Sequence, residues 1–119
     1  MNLTQLLYEI TDGVAMVTIN RPEKLNAFTP IMVREMLEVF KEADRDDSVR
    51  VVVVTGAGRA FCAGAEMSSG KVSFDRSIQE GRKVSLSEHR DGGGRVSLAI
   101  FQCRKPVIAA INGHAVGVG

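Results

Sequence analysis

The sequence lacks the features that mark several special classes of protein. Its 119 residues carry 15 basic and 14 acidic side chains, so the net charge of +1 gives no reason to expect a nucleic acid or an anionic membrane as partner. The longest apolar runs, residues 51–54 and 107–111, are far too short to span a bilayer. Residues 1–5 lack the basic and apolar regions of a signal peptide. We therefore expect neither a nucleic-acid partner nor a membrane partner.

Cysteine is also scarce. Cys62 and Cys103 are the two cysteines of the chain, and both lie in apolar contexts without the spacing of a metal site. They indicate reduced core thiols in a cytoplasmic protein, and we expect no metal. What is present is ordinary for a globular chain, with 45% hydrophobic and 24% charged residues in a length that fits one small domain.

The N-terminal residues predict a β-hairpin. Residues 6–10 and 14–20 are short apolar or alternating runs, and Asp12-Gly13 between them is a strong hairpin signal. Pro22 follows the second run and ends it, because proline cannot donate to a strand ladder.

The next segments alternate between helix and strand patterns. Thr29-Pro30 predicts a helix start, with a hydroxyl N-cap and proline in the first turn. An apolar helical face follows, made of Met32, Met36, Val39, Phe40 and Ala43. Residues 51–54 are four valines without alternation, which predicts a strand buried on both faces, as in α/β architectures.

The C-terminal third repeats this order. Val96, Ala99, Ile100 and Cys103 have helical spacing, and Lys105-Pro106 should stop that helix. Residues 107–111 predict another buried strand. Between the two halves, residues 68–94 are polar, charged and rich in glycine, and we expect a variable, mobile excursion with one short helix near residues 78–86.

Two glycine-containing segments, residues 61–67 and 112–119, each follow a predicted buried strand. Small residues allow a ligand to approach the backbone closely, and chain turns after strands expose peptide N–H groups. Two such groups that converge on one point would form an oxyanion hole. Glycine after a strand is also typical of an ordinary turn, so the spacing alone leaves both interpretations open.

Three motifs resemble those of the crotonase superfamily, the enoyl-CoA hydratase/isomerase family. They are Ile-Asn-Arg-Pro-Glu-Lys-Leu-Asn-Ala-Phe at residues 19–28, the segment at residues 53–67, and Lys-Pro-Val-Ile-Ala-Ala-Ile-Asn-Gly-His-Ala-Val-Gly at residues 105–117. Their order and spacing match the family and cover most of the chain. The resemblance implies an α/β crotonase-like (ClpP/crotonase) ββα spiral fold, truncated after the early turns, with residues 1–119 forming the N-terminal part of the domain.

The resemblance also implies a function in acyl-CoA and fatty acid metabolism. The backbone N–H groups of Ala65 and Val118 would stabilise a thioester enolate; the family often has glycine where Val118 stands, and valine keeps the N–H. The implied substrate-binding residues are Lys24, Ala27, Ala65, Glu66, Met67, Ser68 and Val118. No cofactor is implied, because coenzyme A is part of the substrate.

Four side chains near these segments have a second, purely structural interpretation. Glu66 stands where the family usually has aspartate, and we expect a structural or loop-capping carboxylate rather than the general base. His114 has a suitable pKa range for acid–base chemistry but fits a surface residue as well. Lys24 and Arg59 either meet coenzyme A phosphates or are solvated loop charges.

The family's hydratases use two glutamates that lie beyond the position of Gly119, so we expect this chain to lack them. Hydration, isomerisation, dehydration, hydrolysis and decarboxylation stay open, since members with these activities share the oxyanion hole. A non-catalytic acyl-CoA-binding or interaction module is the alternative. The resemblance implies homotrimers or hexamers for full-length members, and uncovered apolar faces predict self-association of this chain.

Overall fold

The computed structural model describes residues 1–66 and 91–119. The helices and strands of these residues are β1 (Leu6–Thr11), β2 (Val14–Ile19), a 3-10 turn (Pro22–Lys24), α1 (Pro30–Arg45), β3 (Val51–Gly56), β4 (Ala60–Cys62), α2 (Gly92–Gln102), β5 (Val107–Ala109) and β6 (His114–Ala115). One sheet has the strand order β1-β2-β3-β5, and β4 pairs with β6. The β1–β2 pair is antiparallel, and the other neighbours are parallel. This arrangement confirms the α/β class.

The predicted hairpin is confirmed. Thr11 pairs with Val14, which leaves Asp12 and Gly13 as a two-residue loop. Both loop residues have positive φ, 52° and 83°, as a loop whose twist matches that of the strands requires. The hairpin also fixes β3, because the Gly13 carbonyl accepts hydrogen bonds from the N–H groups of Arg50 and Val51.

The predicted helix start is also confirmed. The Thr29 hydroxyl accepts a hydrogen bond from the Met32 N–H at 3.0 Å, and Pro30 occupies the first helical position. Helix α1 buries every residue of the expected apolar face. These side chains pack on one face of the sheet, with Leu6, Ala15, Val17, Ile19, Val52 and Val54. Full burial of the valine, leucine, isoleucine, phenylalanine and methionine side chains among them contributes about 1.5–3 kcal/mol each.

A buried carboxylate, Glu35, joins α1 to the N-terminal residues. Glu35 is 0% exposed and accepts backbone hydrogen bonds from Thr4, Gln5 and Leu6 at 2.9–3.1 Å, plus one from the Thr4 hydroxyl. Burial alone would raise the pKa of this carboxyl, but the donors outweigh burial and hold the pKa below its usual value. Sequence reasoning missed this role, although a glutamate three residues after Met32 on the apolar face was a usable signal.

The burial predicted for the two later strands is wrong in part. Val52 and Val54 are buried, whereas Val51 and Val53 are only half-buried, because α1 covers one face of β3. The strand expected at residues 107–111 is Val107–Ala109, and Ile108 is 53% exposed. Strand β5 pairs with β3 along one edge, and within the described part of the chain no strand pairs with its outer edge.

Helix α2 starts inside the region expected to be an excursion. Gly92–Gly94 form its first turn, and the Asp91 carboxylate caps it by accepting a hydrogen bond from the Gly94 N–H. Glycine favours helix weakly, and the Asp91 N-cap stabilises this first turn. The short helix expected near residues 78–86 lies outside the described residues. In residues 1–66 and 91–119, no helix is long and apolar enough to cross a membrane.

Lys105 and Arg104 fix the point where the chain enters β5. The Lys105 ammonium donates to the carbonyls of Ala43, Asp46 and Val49 at 2.8–3.0 Å. Such bonds satisfy carbonyls at and beyond the end of α1. Arg104 adds backbone and side-chain hydrogen bonds to the Asp44 carboxylate. The glycine segment that follows β5 is therefore placed relative to α1 by these contacts.

Candidate active site

The loop at residues 20–28 is built around a buried asparagine. Leu25 and Asn26 both have left-handed φ, 52° and 58°, which asparagine tolerates better than leucine. The Asn26 side chain is fully buried and accepts from the Arg21 N–H at 2.8 Å. Its amide donates to the carbonyls of Ala57 and Ala60 at 2.9 and 2.8 Å. Asn26 thus holds this loop against the turn that follows β3.

Two predicted substrate-binding residues lie on this loop. Lys24 is exposed at the end of the 3-10 turn, and Ala27 is half-buried. The Ala27 N–H donates to the Lys24 carbonyl at 3.0 Å. The Ala27 carbonyl accepts from the Arg21 guanidinium at 2.9 Å.

The first glycine segment runs beside this loop. The Gly64 carbonyl accepts from the Phe28 N–H at 2.7 Å, and the Glu66 N–H donates to the Phe28 carbonyl at 2.8 Å. In a trans peptide the carbonyl and the N–H point in opposite directions. Because the Gly64 carbonyl points toward Phe28, the N–H of Ala65 in the same peptide points away from it. The Ala65 N–H therefore does not take part in the pairing with Phe28.

The second glycine segment is held by Asn112 and by strand pairing. Asn112 accepts from the Gly56 N–H at 3.0 Å and donates to the carbonyls of Gly58 and Ala60 at 3.0 and 3.2 Å. Strand β6 then pairs with β4, and the Val116 N–H donates to the Cys62 carbonyl at 3.0 Å. The sequence analysis included Asn112 and Asn26 in the family motifs but did not predict these hydrogen bonds of their side chains.

A tight turn carries the second predicted donor. The Gly119 N–H donates to the Val116 carbonyl at 2.8 Å, and Gly117 has a φ of 59°. Val118 lies inside this turn, next to the start of α2, since a Cβ atom on Gly93 would lie 3.2 Å from a Val118 methyl group.

The two glycine segments are in backbone contact. A Cβ atom on Gly64 would lie 2.8 Å from the Val116 carbonyl oxygen, and one on Gly119 would lie 2.2 Å from the Cys62 carbonyl oxygen. Side chains at these positions would force the segments apart. The structure therefore brings together the segments that carry Ala65 and Val118. Met67 and Ser68 lie outside the described residues.

The ionisable groups at the site differ in their surroundings. Glu66 forms an ion pair with Arg21 at 3.4 Å, and their side chains are 28% and 16% exposed. His114 and Arg59 are exposed. Cys62 and Cys103 are free thiols. Burial raises the pKa of the Cys62 thiol, against a smaller lowering by the Gly64 N–H, so this thiol is protonated at neutral pH.

Comparison with known proteins identifies the family. The model of the enoyl-CoA hydratase/isomerase family matches residues 9–119. The chain is 42% identical over 108 residues to the enoyl-CoA hydratase ACTT3 of Alternaria alternata, covering 91% of this chain and 34% of that one. It is 35% identical over 118 residues to the probable peroxisomal enoyl-CoA hydratase 1 of Arabidopsis thaliana, covering 99% of this chain and 40% of that one.

A solved structure agrees with these relatives. The enoyl-CoA hydratase EchA8_6 of Mycobacterium marinum superposes with a TM-score of 0.78 at 31% identity, over 98% of this chain and 52% of that one. The fold is therefore that of the N-terminal part of a crotonase. The chain belongs to the enoyl-CoA hydratase/isomerase family of the crotonase superfamily. It spans about a third to a half of the length of these three proteins.

Proposed function

We propose that residues 61–66 and 112–119 form an oxyanion hole for the thioester of an acyl-CoA, with the N–H groups of Ala65 and Val118 as donors. The observation that supports this proposal is the close approach of Gly64 to the Val116 carbonyl, which brings together the two segments that carry Ala65 and Val118. Family membership supplies the substrate class.

The chemistry follows from charge. Removing a proton from the carbon next to a thioester, or adding water to the far carbon of a conjugated double bond, forms an enolate with negative charge on the thioester oxygen. Two fixed N–H dipoles stabilise that charge without reorganisation, and loss of one such donor costs about 2.7–4 kcal/mol in a well-studied case. Both donors belong to the backbone. Lys24 and Ala27 would lie along coenzyme A, and Glu66, Met67 and Ser68 would line the acyl site.

We further propose that the 119 residues alone bind an acyl-CoA but do not hydrate it above background. Hydration also needs a positioned base and acid, each worth about 10²- to 10⁴-fold. In the described residues of the site, Glu66 is engaged with Arg21, and His114 is exposed. A cytoplasmic location and the absence of a cofactor other than the substrate's coenzyme A stay predictions.

Binding is tested by amide NMR with a matched pair of ligands. Crotonyl-CoA carries the thioester oxygen, whereas S-butyl-CoA, a thioether, lacks it. We expect the Ala65 and Val118 amide signals to move on addition of the thioester and to move much less with the thioether. Equal responses to the two ligands would contradict the oxyanion hole. Binding of both without discrimination would favour a non-catalytic acyl-CoA-binding module.

Catalysis is tested by following the conjugated thioester of crotonyl-CoA in a spectrophotometer. The unmodified chain is compared with its Glu66→Gln and His114→Ala variants, and we expect all three to remain at the background rate. Robust turnover that either substitution abolishes would overturn the structural assignment of that side chain and make it the acid or base.

A further inference from the structure

Arg21 is joined to the signature loop through its backbone as well as its side chain. Its N–H donates to the Asn26 side chain at 2.8 Å, and its carbonyl accepts from the N–H groups of Lys24 and Asn26, both at 2.9 Å. Because both the N–H and the carbonyl of Arg21 are hydrogen-bonded, the backbone from which the guanidinium extends is held in place. The Arg21 side chain is mostly shielded from water.

The guanidinium connects two segments of the proposed site. It donates to the Ala27 carbonyl at 2.9 Å, on the loop proposed to lie along coenzyme A. It also faces one Glu66 carboxylate oxygen with both terminal nitrogens, each at 3.4 Å. A planar fork can serve both partners at once, and partial burial makes such charge-assisted contacts stronger than those of an exposed pair.

Glu66 directly follows the proposed donor residue. The Phe28 backbone bonds to Gly64 on one side of Ala65 and to Glu66 on the other. These two hydrogen bonds set the plane of the peptide that carries the Ala65 N–H. The Arg21–Glu66 pair is a third connection across the same short ladder, and Arg21 lies on the loop that leads to Phe28.

We propose that Arg21 is a positioning residue that keeps the Ala65 N–H aimed at the thioester oxygen, acting through Glu66 and Ala27. This inference rests on the proposed oxyanion hole. It gives the Glu66 carboxylate a defined partner and task, that of holding the donor segment. The effect should be larger for ligands that carry the thioester oxygen, since only these ligands use the Ala65 N–H, whereas the Ala27 contact affects every coenzyme A ligand.

The test compares Arg21→Gln and Arg21→Lys with Arg45→Gln, a control that removes the surface ion pair of Arg45 with Glu42. Amide hydrogen exchange at Phe28 and Glu66 reports the ladder around Ala65, and exchange in β3 reports global stability. In Arg21→Gln we expect exchange at Glu66 to rise roughly threefold to tenfold, a range typical of one charge-assisted contact, with β3 unchanged.

Affinity provides the second readout. Arg21→Gln should weaken binding of crotonyl-CoA about threefold to tenfold more than it weakens binding of S-butyl-CoA. Arg21→Lys keeps the charge but loses the fork, and it should recover part of both effects. Arg45→Gln should change neither readout.

The failure modes are distinguishable. If the unmodified chain binds the thioester and the thioether equally, the donor role of Ala65 is overturned, and this proposal with it. If the unmodified chain discriminates between the ligands and Arg21→Gln discriminates equally well, only the role of Arg21 is overturned. A rise in exchange that extends equally to β3 would identify Arg21 as a general stabilising residue and would also overturn the proposal.

Discussion

Two apolar runs of the same sheet show how burial is decided. Strand β3 and the segment at residues 107–111 are similar in composition, yet Val52 is fully buried while Ile108 and Ile111 are more than half exposed. The difference lies in what packs on them, because α1 covers the first and, within the described residues, nothing comparable covers the second. An apolar run therefore predicts a strand, whereas its burial depends on elements elsewhere in the chain. Self-association through the exposed residues stays a prediction.

The sharpest test of this contrast is a matched pair of substitutions. Phe40→Ala removes a ring from the core under α1 and should lower the free energy of unfolding by about 3–5 kcal/mol. Ile111→Ala removes a comparable apolar side chain from the exposed segment and should change it by about 0.5 kcal/mol or less. Urea unfolding followed by circular dichroism measures both. Equal losses would contradict the division into a covered and an uncovered region.

A second test uses the charge inside the covered region. Glu35→Gln keeps the size of the side chain but places an amide NH₂ against backbone donors, and it should cost about 1–3 kcal/mol at neutral pH. The folded-state pKa of Glu35 lies below the unfolded value. Its contribution is therefore fully present above the unfolded pKa, about 4.3, and is lost as the pH falls through the folded pKa.

The pH dependence is the decisive readout for this variant. Urea unfolding of both chains at a series of pH values should show the difference between them shrinking below about pH 4.3. Glu38→Gln, on the same helix outside the buried set, is the control for the same substitution made at an exposed site. A difference that stays constant down to low pH would mean that the Glu35 charge contributes nothing.

The smallest effect is expected in the uncovered region. Gly117→Ala places a Cβ atom at a φ of 59°, where the nearest atom, the Gly64 Cα, is at an ordinary contact distance of 3.9 Å but the backbone is strained by about 1 kcal/mol. The amide of Gly119, bonded across this turn, should exchange roughly fivefold faster, with β3 amides unchanged. Gly117→Asn should show a weaker effect, since asparagine tolerates this conformation. Faster exchange at β3 in either variant would show that the two regions are coupled and would contradict the comparison.

Much of the fold follows from local signals in the sequence. The Asp12-Gly13 loop and the Thr29 cap each specify a backbone geometry through one or two residues, so their strand and helix boundaries were predictable. The α/β order followed from the alternation of such segments. The start of α2 was missed because three glycines argue against a helix, and the cap from Asp91 decides the outcome.

The sequence predicted which segments form the candidate site, but it did not predict the side chains that hold these segments in place. The glycines marked where two backbones approach, as at Gly64 and Val116. The side chains that set the approach, Asn26 and Asn112, bond to carbonyls 31 to 54 residues away, and no local pattern encodes such partners. Lys105 was interpreted as part of a helix stop and of the third motif, and its hydrogen bonds to three carbonyls were not predicted.

One carbonyl oxygen, that of Ala60, receives hydrogen bonds from both asparagines. This sharing makes the connection between the two loops redundant at that point, because losing one amide leaves the oxygen with another partner. The double substitution of Asn26 and Asn112 should therefore destabilise the protein by more than the sum of the two single substitutions. If either loop loses its asparagine, the other asparagine still bonds to the turn between β3 and β4.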